Sequence, residues 1–266
     1  EMLKAGAPKD TILERAERRG VLREILRVNP DARPGAWDDM GGVLADVSYH
    51  WQGWLPDSML TMIAAESEMG KSILALRIAK SYLTGAAWPD GQPFTGETGC
   101  VLWAEAESAQ AINLDRARKW GLPLGRVYTP FEDTLQDIVL DNAEDRERLQ
   151  SIAGRPEVRL VVVDSLSGGN TRTDENSAGM ITLVKWLGEL AKTAGKPVLL
   201  THHLNKSIAV DNQTVTLPRV RGSSAIVQVP RVIWGLDRPD PNSMATRLSV
   251  IKSNLGIKPP PLGFTR

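Results

Sequence analysis

From residue 50 onward the chain alternates between short apolar runs and longer stretches of helical periodicity. The apolar runs are Leu60–Ala64, Val101–Ala104, Leu160–Val163, Pro197–Thr201, Val232–Leu236 and Leu248–Ile251. Helical spacing appears between several of them, at 71–83, 109–120 and 176–193. Strands that alternate with helices imply βαβ units. The runs are continuously apolar, as strands buried on both faces of a parallel sheet must be. The pattern therefore predicts an α/β fold with a mostly parallel, twisted sheet flanked by helices. Ahead of it, Leu13, Ala16, Leu22, Ile25 and Leu26 recur at near-helical spacing over 10–28, with Asp10 or Thr11 as cap. Pro30, Pro34, Gly35 and Gly41-Gly42 then break the chain. The expected organisation is a helical appendage over 1–45 and a sheet-bearing domain over 46–266. The appendage either packs on the same core or docks on a neighbouring subunit.

Composition changes this picture in three places. Hydrophobic residues make up 42% of 266 residues, enough for one core of this kind. Lys+Arg and Asp+Glu both count 32, so any nucleic-acid contact has to come from a local patch rather than the whole-molecule field. The single cysteine, Cys100, permits no internal disulfide, and a reducing, cytoplasmic setting is expected. No stretch of 18 apolar residues is present to span a membrane, and no signal peptide is visible. The chain opens at Glu1 and closes at Arg266, just past the strand-like Pro261–Phe264, and both ends read as trimmed.

The candidate chemistry begins where the first long run ends. Ala65-Glu66-Ser67-Glu68-Met69-Gly70-Lys71-Ser72 follows a predicted strand and opens a predicted helix at Ile73. That is the setting of the phosphate-binding pattern G-x-x-x-x-G-K-[ST]. Backbone N–H groups at a helix N-terminus bind phosphate oxygens. Lys71 supplies a charge for β- and γ-phosphates, and Ser72 a hydroxyl ligand for Mg²⁺. ATP and Mg²⁺ are the cofactors expected. Ala65 replaces the first glycine, which is tolerable only if φ there is negative, and two acids in the loop have to point away from phosphate.

Asp164 ends the run Leu160–Val163, where an acid holds Mg²⁺ in enzymes of this kind. Glu105 and Glu107 end the run Val101–Ala104, and either can orient and deprotonate an attacking water. Alternation puts both on one face, so spacing does not choose between them. His202 and His203 end another strand, placed to sense a terminal phosphate or to serve as core histidines. Arg231 reads, from its own surroundings, as a surface residue at a strand start. The loops Ser167–Gly179, with Arg172, and Asn205–Arg221, with Lys206, Arg219 and Arg221, leave the sheet at its carboxyl edge. In a ring of subunits such cations track a phosphate backbone; otherwise the loops are simply solvated. Neither holds an aromatic residue for base stacking. Trp51 and Trp54 are expected to fill the core or an interface.

Together these segments resemble the RecA-type ATPases, and most closely the plasmid RepA-like hexameric helicases among the AAA-type ATPases of bacteria and phages. The likeness spans about residues 50–262. It rests on Trp54-Leu55-Pro56 through Gly70-Lys71-Ser72, Val101–Glu107 with Arg116, and Asp164-Ser165 with Asp174-Glu175-Asn176. It continues through Leu199–Lys206, Arg221-Gly222-Ser223-Ser224 with Arg231, and Ile251-Lys252-Ser253-Asn254. The resemblance implies a RecA-like domain that hydrolyses ATP in a homo-oligomeric ring of six. Glu107 would be the base, Arg231 and Lys252 would act on the neighbour's nucleotide, and His203 would serve beside the phosphates. It also implies contact with single-stranded DNA through Arg172, Lys206, Arg219 and Arg221. The competing expectation is a nucleotide-gated assembly or signalling ATPase that moves no DNA.

Overall fold

The computed structural model describes residues 47–170, 178–205, 214–222, 226–240 and 242–265. The chain forms two compact units, Glu1–Asp46 and Val47–Arg266. The helix expected over 10–28, with the appendage it belongs to, lies outside the described residues, as do Arg172 and Lys206.

The second unit opens with a short antiparallel hairpin, β1 (Tyr49–Trp51) and β2 (Leu55–Pro56). The alternation then proceeds as β3 (Leu60–Ala65), α1 (Lys71–Thr84), β4 (Cys100–Glu105), α2 (Gln110–Lys119) and β5 (Val127–Tyr128). It continues with α3 (Ala143–Ala153), β6 (Val158–Asp164), α4 (Ala178–Ala194) and β7 (Val198–His203). Three strands close the chain, β8 (Val232–Asp237), β9 (Ala245–Ser253) and β10 (Leu262–Thr265). Strands β3 to β10 form an eight-stranded sheet in the order β10-β9-β8-β3-β7-β6-β4-β5. From β8 to β5 all neighbours are parallel, while β9 and β10 add antiparallel. The exception has a local cause: a short turn joins β8 to β9, and only antiparallel strands accept so short a link.

Each central strand is apolar on both sides because it faces two cores. In β3, Leu60, Met62 and Ala64 join the core under α3 and α4, while Ile63 and Ala65 join the core under α1 and α2. In β4, Leu102 and Ala104 face the first core, Val101 and Trp103 the second. Helix α4 turns Met180, Val184, Leu187 and Ala191 inward at helical spacing. Helix α3 has no counterpart in the predicted elements. Only Asp145, Leu149 and Ala153 of its eleven residues are buried, so its apolar stripe is thin. Its start is legible: the Asn142 side chain accepts the Glu144 N–H at 2.9 Å, and two acids fill the first turn.

Trp51 and Trp54 belong to the core. Their rings stack at 4.8 Å, Trp51 stacks on Trp88 at 5.6 Å, and Trp234 meets Trp51 edge-on at 5.7 Å. Their polar ends are satisfied: Trp51 Nε1 donates to Asp90 at 2.9 Å and Trp234 Nε1 to the Trp54 carbonyl at 3.1 Å. No described helix is long and apolar enough to cross a membrane.

Candidate nucleotide site

Strand β3 delivers the chain to the carboxyl edge of the sheet, and the loop 66–70 turns it into α1. Ala65 is the last residue of β3, extended and buried. Its backbone is therefore one that alanine adopts freely, and its methyl group fills the core under α1. The turn is made further along, where Glu68 (φ 65°) and Gly70 (φ 95°) take left-handed conformations. The first turn of α1 carries no acid, so its positive end is not offset by a carboxylate of its own. Glu66, Ser67 and Glu68 are exposed. Glu66 turns onto Arg219, whose Nη2 donates to its Oε1 at 2.7 Å. Arg219, expected among the loop cations, has its side chain only 9% exposed and tied to the loop after β3.

Lys71 is buried, and its Nζ donates to the carbonyls of Ala65 (3.4 Å) and Glu66 (3.1 Å). Burial lowers its pKa, while Glu107 and Asp164 raise it. Asp164 ends β6 and accepts the Thr201 hydroxyl at 2.5 Å on Oδ1. Burial pushes its carboxyl up; the Ser72 and Thr201 hydroxyls pull it back. The Ser72 hydroxyl lies close enough to act on this carboxyl, and Oδ2 is buried with no hydrogen-bond partner of ordinary geometry. A buried carboxylate oxygen of that kind beside a serine hydroxyl is a fit for Mg²⁺.

The two candidate bases separate. Glu105 is buried at the end of β4 and accepts N–H groups from Trp103, Ala106, Glu107 and Asn113. Glu107 lies past the strand end, in a cleft of about 410 Å³ with Lys71, Ser72, Asp164, Arg116 and His203. The Ser165 hydroxyl and His203 Nε2 (3.0 Å) both bond Oε1 of Glu107. Those bonds, with His203 first, hold its carboxyl at about 2. His203 Nδ1 lies 3.4 Å from Lys71 Nζ, an obligate donor, so Nδ1 accepts and Nε2 carries the proton shared with Glu107. His202 points to the other side of the strand, where it is buried against the Arg221 carbonyl (2.8 Å) and Ser167 (3.3 Å).

A second cleft, about 260 Å³, opens beside the first and shares Gly70 and Ile73 with it. Met69, Leu236, Trp120 and Phe264 line it, so it offers an apolar slot suited to a flat ring. No motif announces this slot, because its walls come from the start of α1, the end of α2 and three late strands, β8, β9 and β10.

Arg231 and Lys252 are not in the cleft of their own chain. Arg231 N donates to Leu60 O at 3.1 Å, which puts Arg231 at the amino edge of the sheet, where β3 begins. The length of β3 separates the two edges, about 20 Å at ~3.3 Å per residue. Lys252 pairs there with Ile233, and its Nζ donates to the carbonyls of Val227, Gln228 and Pro230 at 2.7 to 3.0 Å. Its charge is thus engaged by carbonyls of its own chain. Arg231 is exposed at this edge, and Arg221 is exposed at the carboxyl edge.

A family model described as AAA domain matches residues 30–209. None of the curated proteins compared gives a significant match. Among solved structures, the crystal structure of the RadB recombinase matches with a TM-score of 0.54 and 19% identity, covering 79% of this chain and 88% of that one. At that identity the likeness is one of fold, and the fold is RecA-like.

Proposed function

This chain belongs to the AAA domain family, whose members are ATPases of the P-loop type, and from that premise we propose that it hydrolyses ATP as a subunit of a ring acting on single-stranded DNA. One observation carries the reading: Lys71, Ser72, Asp164, Glu107 and His203 meet at the carboxyl edge, while the exposed Arg231 stands at the opposite edge. A nucleotide fits the two joined clefts end to end, phosphates over Gly70–Ile73 and base against Trp120 and Phe264. Ser72 and Asp164 would hold Mg²⁺, which neutralises charge on the terminal phosphates when bound. Lys71 presents a second cation to the same oxygens. Glu107, ionised throughout the neutral range, orients the attacking water. His203 joins Lys71 to Glu107 and so ties the phosphate side of the cleft to the water side. Arg231 would complete the site of the next subunit in a head-to-tail ring.

A second reading, a nucleotide-gated assembly ATPase that moves no DNA, is favoured by the engagement of Arg219 with Glu66, which removes one of the cations expected for DNA. ATP turnover with and without single-stranded DNA, beside a mass measurement of the assembly, separates them. An oligomer whose turnover rises several-fold with DNA supports the motor. An oligomer indifferent to DNA assigns the second reading, and absence of ATP turnover removes both.

A further inference from the structure

Four N–H donors converge on the buried carboxylate of Glu105. Oε1 accepts the backbone N–H groups of Ala106 (3.2 Å) and Glu107 (3.0 Å). Oε2 accepts Trp103 Nε1 (3.3 Å) and Asn113 Nδ2 (2.9 Å). Asn113, itself buried on α2, then accepts Arg116 Nη1 on its Oδ1 at 3.1 Å. One carboxylate thus holds the backbone of Glu107 directly and the guanidinium of Arg116 through one amide, and both residues line the phosphate cleft.

We propose that Glu105 is a positioning residue for ATP hydrolysis, setting the water-orienting Glu107 and the cation Arg116 together on the cleft. The proposal rests on the reading of Glu107 given above. A neutral side chain does not reproduce the arrangement. All four partners are donors, so both oxygens have to be acceptors, which only the ionised carboxylate provides. An amide of the same shape turns an NH₂ toward two of the four. Burying a carboxylate is costly, and Asp164, its register partner on β6, adds repulsion. A cap for the strand end alone does not require a charge in this place. Glu107 lies two residues past the last residue of β4, one residue beyond the Ala106 N–H bond to the Asp164 carbonyl, so Glu105 anchors its backbone while Ser165 and His203 hold its carboxyl.

The test is Glu105→Gln, with Asn113→Ala and Glu107→Gln in parallel, each measured for kcat and for affinity toward a non-hydrolysable ATP analogue. Glu105→Gln is expected to lower kcat by roughly 30-fold or more, with analogue affinity within about threefold, since misplacement of catalytic groups acts on the chemical step. Asn113→Ala, which frees Arg116 and leaves the Glu107 bond, should lower kcat by about tenfold. If Glu107→Gln is inactive and Glu105→Gln turns over normally, the positioning role is overturned while the reading of Glu107 stands. A fully active Glu107→Gln removes that reading itself. Lower thermal stability of Glu105→Gln with unchanged kcat assigns Glu105 to the fold alone and also overturns the proposal. Should Glu105→Gln not fold, an unchanged kcat for Asn113→Ala overturns it.

Discussion

Lys71 keeps its charge in a buried place because the Ala65 and Glu66 carbonyls accept it and two carboxylates stand near. Lys71→Ala should lower ATP affinity or turnover tenfold or more, at least ~1.4 kcal/mol, in a binding titration and a phosphate-release assay. Glu107→Gln should leave binding intact and reduce turnover by roughly 100-fold. Glu107 also carries a pH signature. Its pKa is depressed from 4.5 to about 2, so its bonds to His203 and Ser165 stabilise the folded ionised form above its ordinary range and are lost as pH falls through about 2. His203→Ala removes the largest cause. The Glu107 titration followed by NMR should then move back up toward 4.5, leaving the carboxyl protonated over part of a window where the parent is ionised. Ala65 behaves differently from what the motif suggests. Since it is a strand residue, Ala65→Gly should not speed hydrolysis and should destabilise by about 0.5–1 kcal/mol in chemical denaturation.

Among elements, the hairpin β1–β2 shows how little local pattern reveals about packing. It is five residues of strand, yet it brings Trp51, and the turn it encloses brings Trp54, into the aromatic cluster on the α1 side. Trp54→Ala should cost ~3–5 kcal/mol by denaturant titration. The segment 217–221 is the second case. A single 3₁₀ turn, Leu217–Arg219, is pinned by Arg219 to Glu66 and by its backbone to Asn205. Arg219→Ala leaves the Glu66 carboxylate uncompensated beside the phosphate subsite. ATP affinity should fall by about 1 kcal/mol, roughly fivefold, and adding Glu66→Gln should recover most of it. Without that recovery, the pair is structural rather than electrostatic in its effect on ATP.

For the whole molecule the decisive arrangement is the separation of the cleft from Arg231 by the full height of the sheet. A cation at one edge and a phosphate site at the other do not meet within one chain, but would meet in the head-to-tail ring proposed above. Arg231→Ala should therefore bind ATP normally and hydrolyse it poorly, since a finger of this kind is worth ~10³ or more. Mixing Arg231→Ala with Glu107→Gln should restore part of the activity that each lacks, because some boundaries then pair an intact Glu107 with an intact Arg231. Mixtures that stay inactive would place Arg231 outside the neighbour's site.

The central strands β3, β4, β6, β7, β8 and β9, the helices α1, α2 and α4, the loop between β3 and α1 and the acid that ends β6 were legible along the chain, because each rests on residues close together in sequence: burial on both faces gives continuous apolar runs, and a strand–loop–helix corner needs its glycine, lysine and serine in one place; α3, β5 and the hairpin were not. Tertiary structure decided the rest. Period-two alternation puts Glu105 and Glu107 on one face, but β4 stops at Glu105, so one carboxylate is enclosed by donors and the other enters the cleft. Neighbouring histidines on a strand face opposite ways, and only the position of β7 beside β3 makes His203 the one that meets Lys71. Arg219 reads as a loop cation until the fold sets it against Glu66. The slot lined by Trp120, Leu236 and Phe264 exists only where distant segments close on α1, and no spacing in the chain encodes that approach.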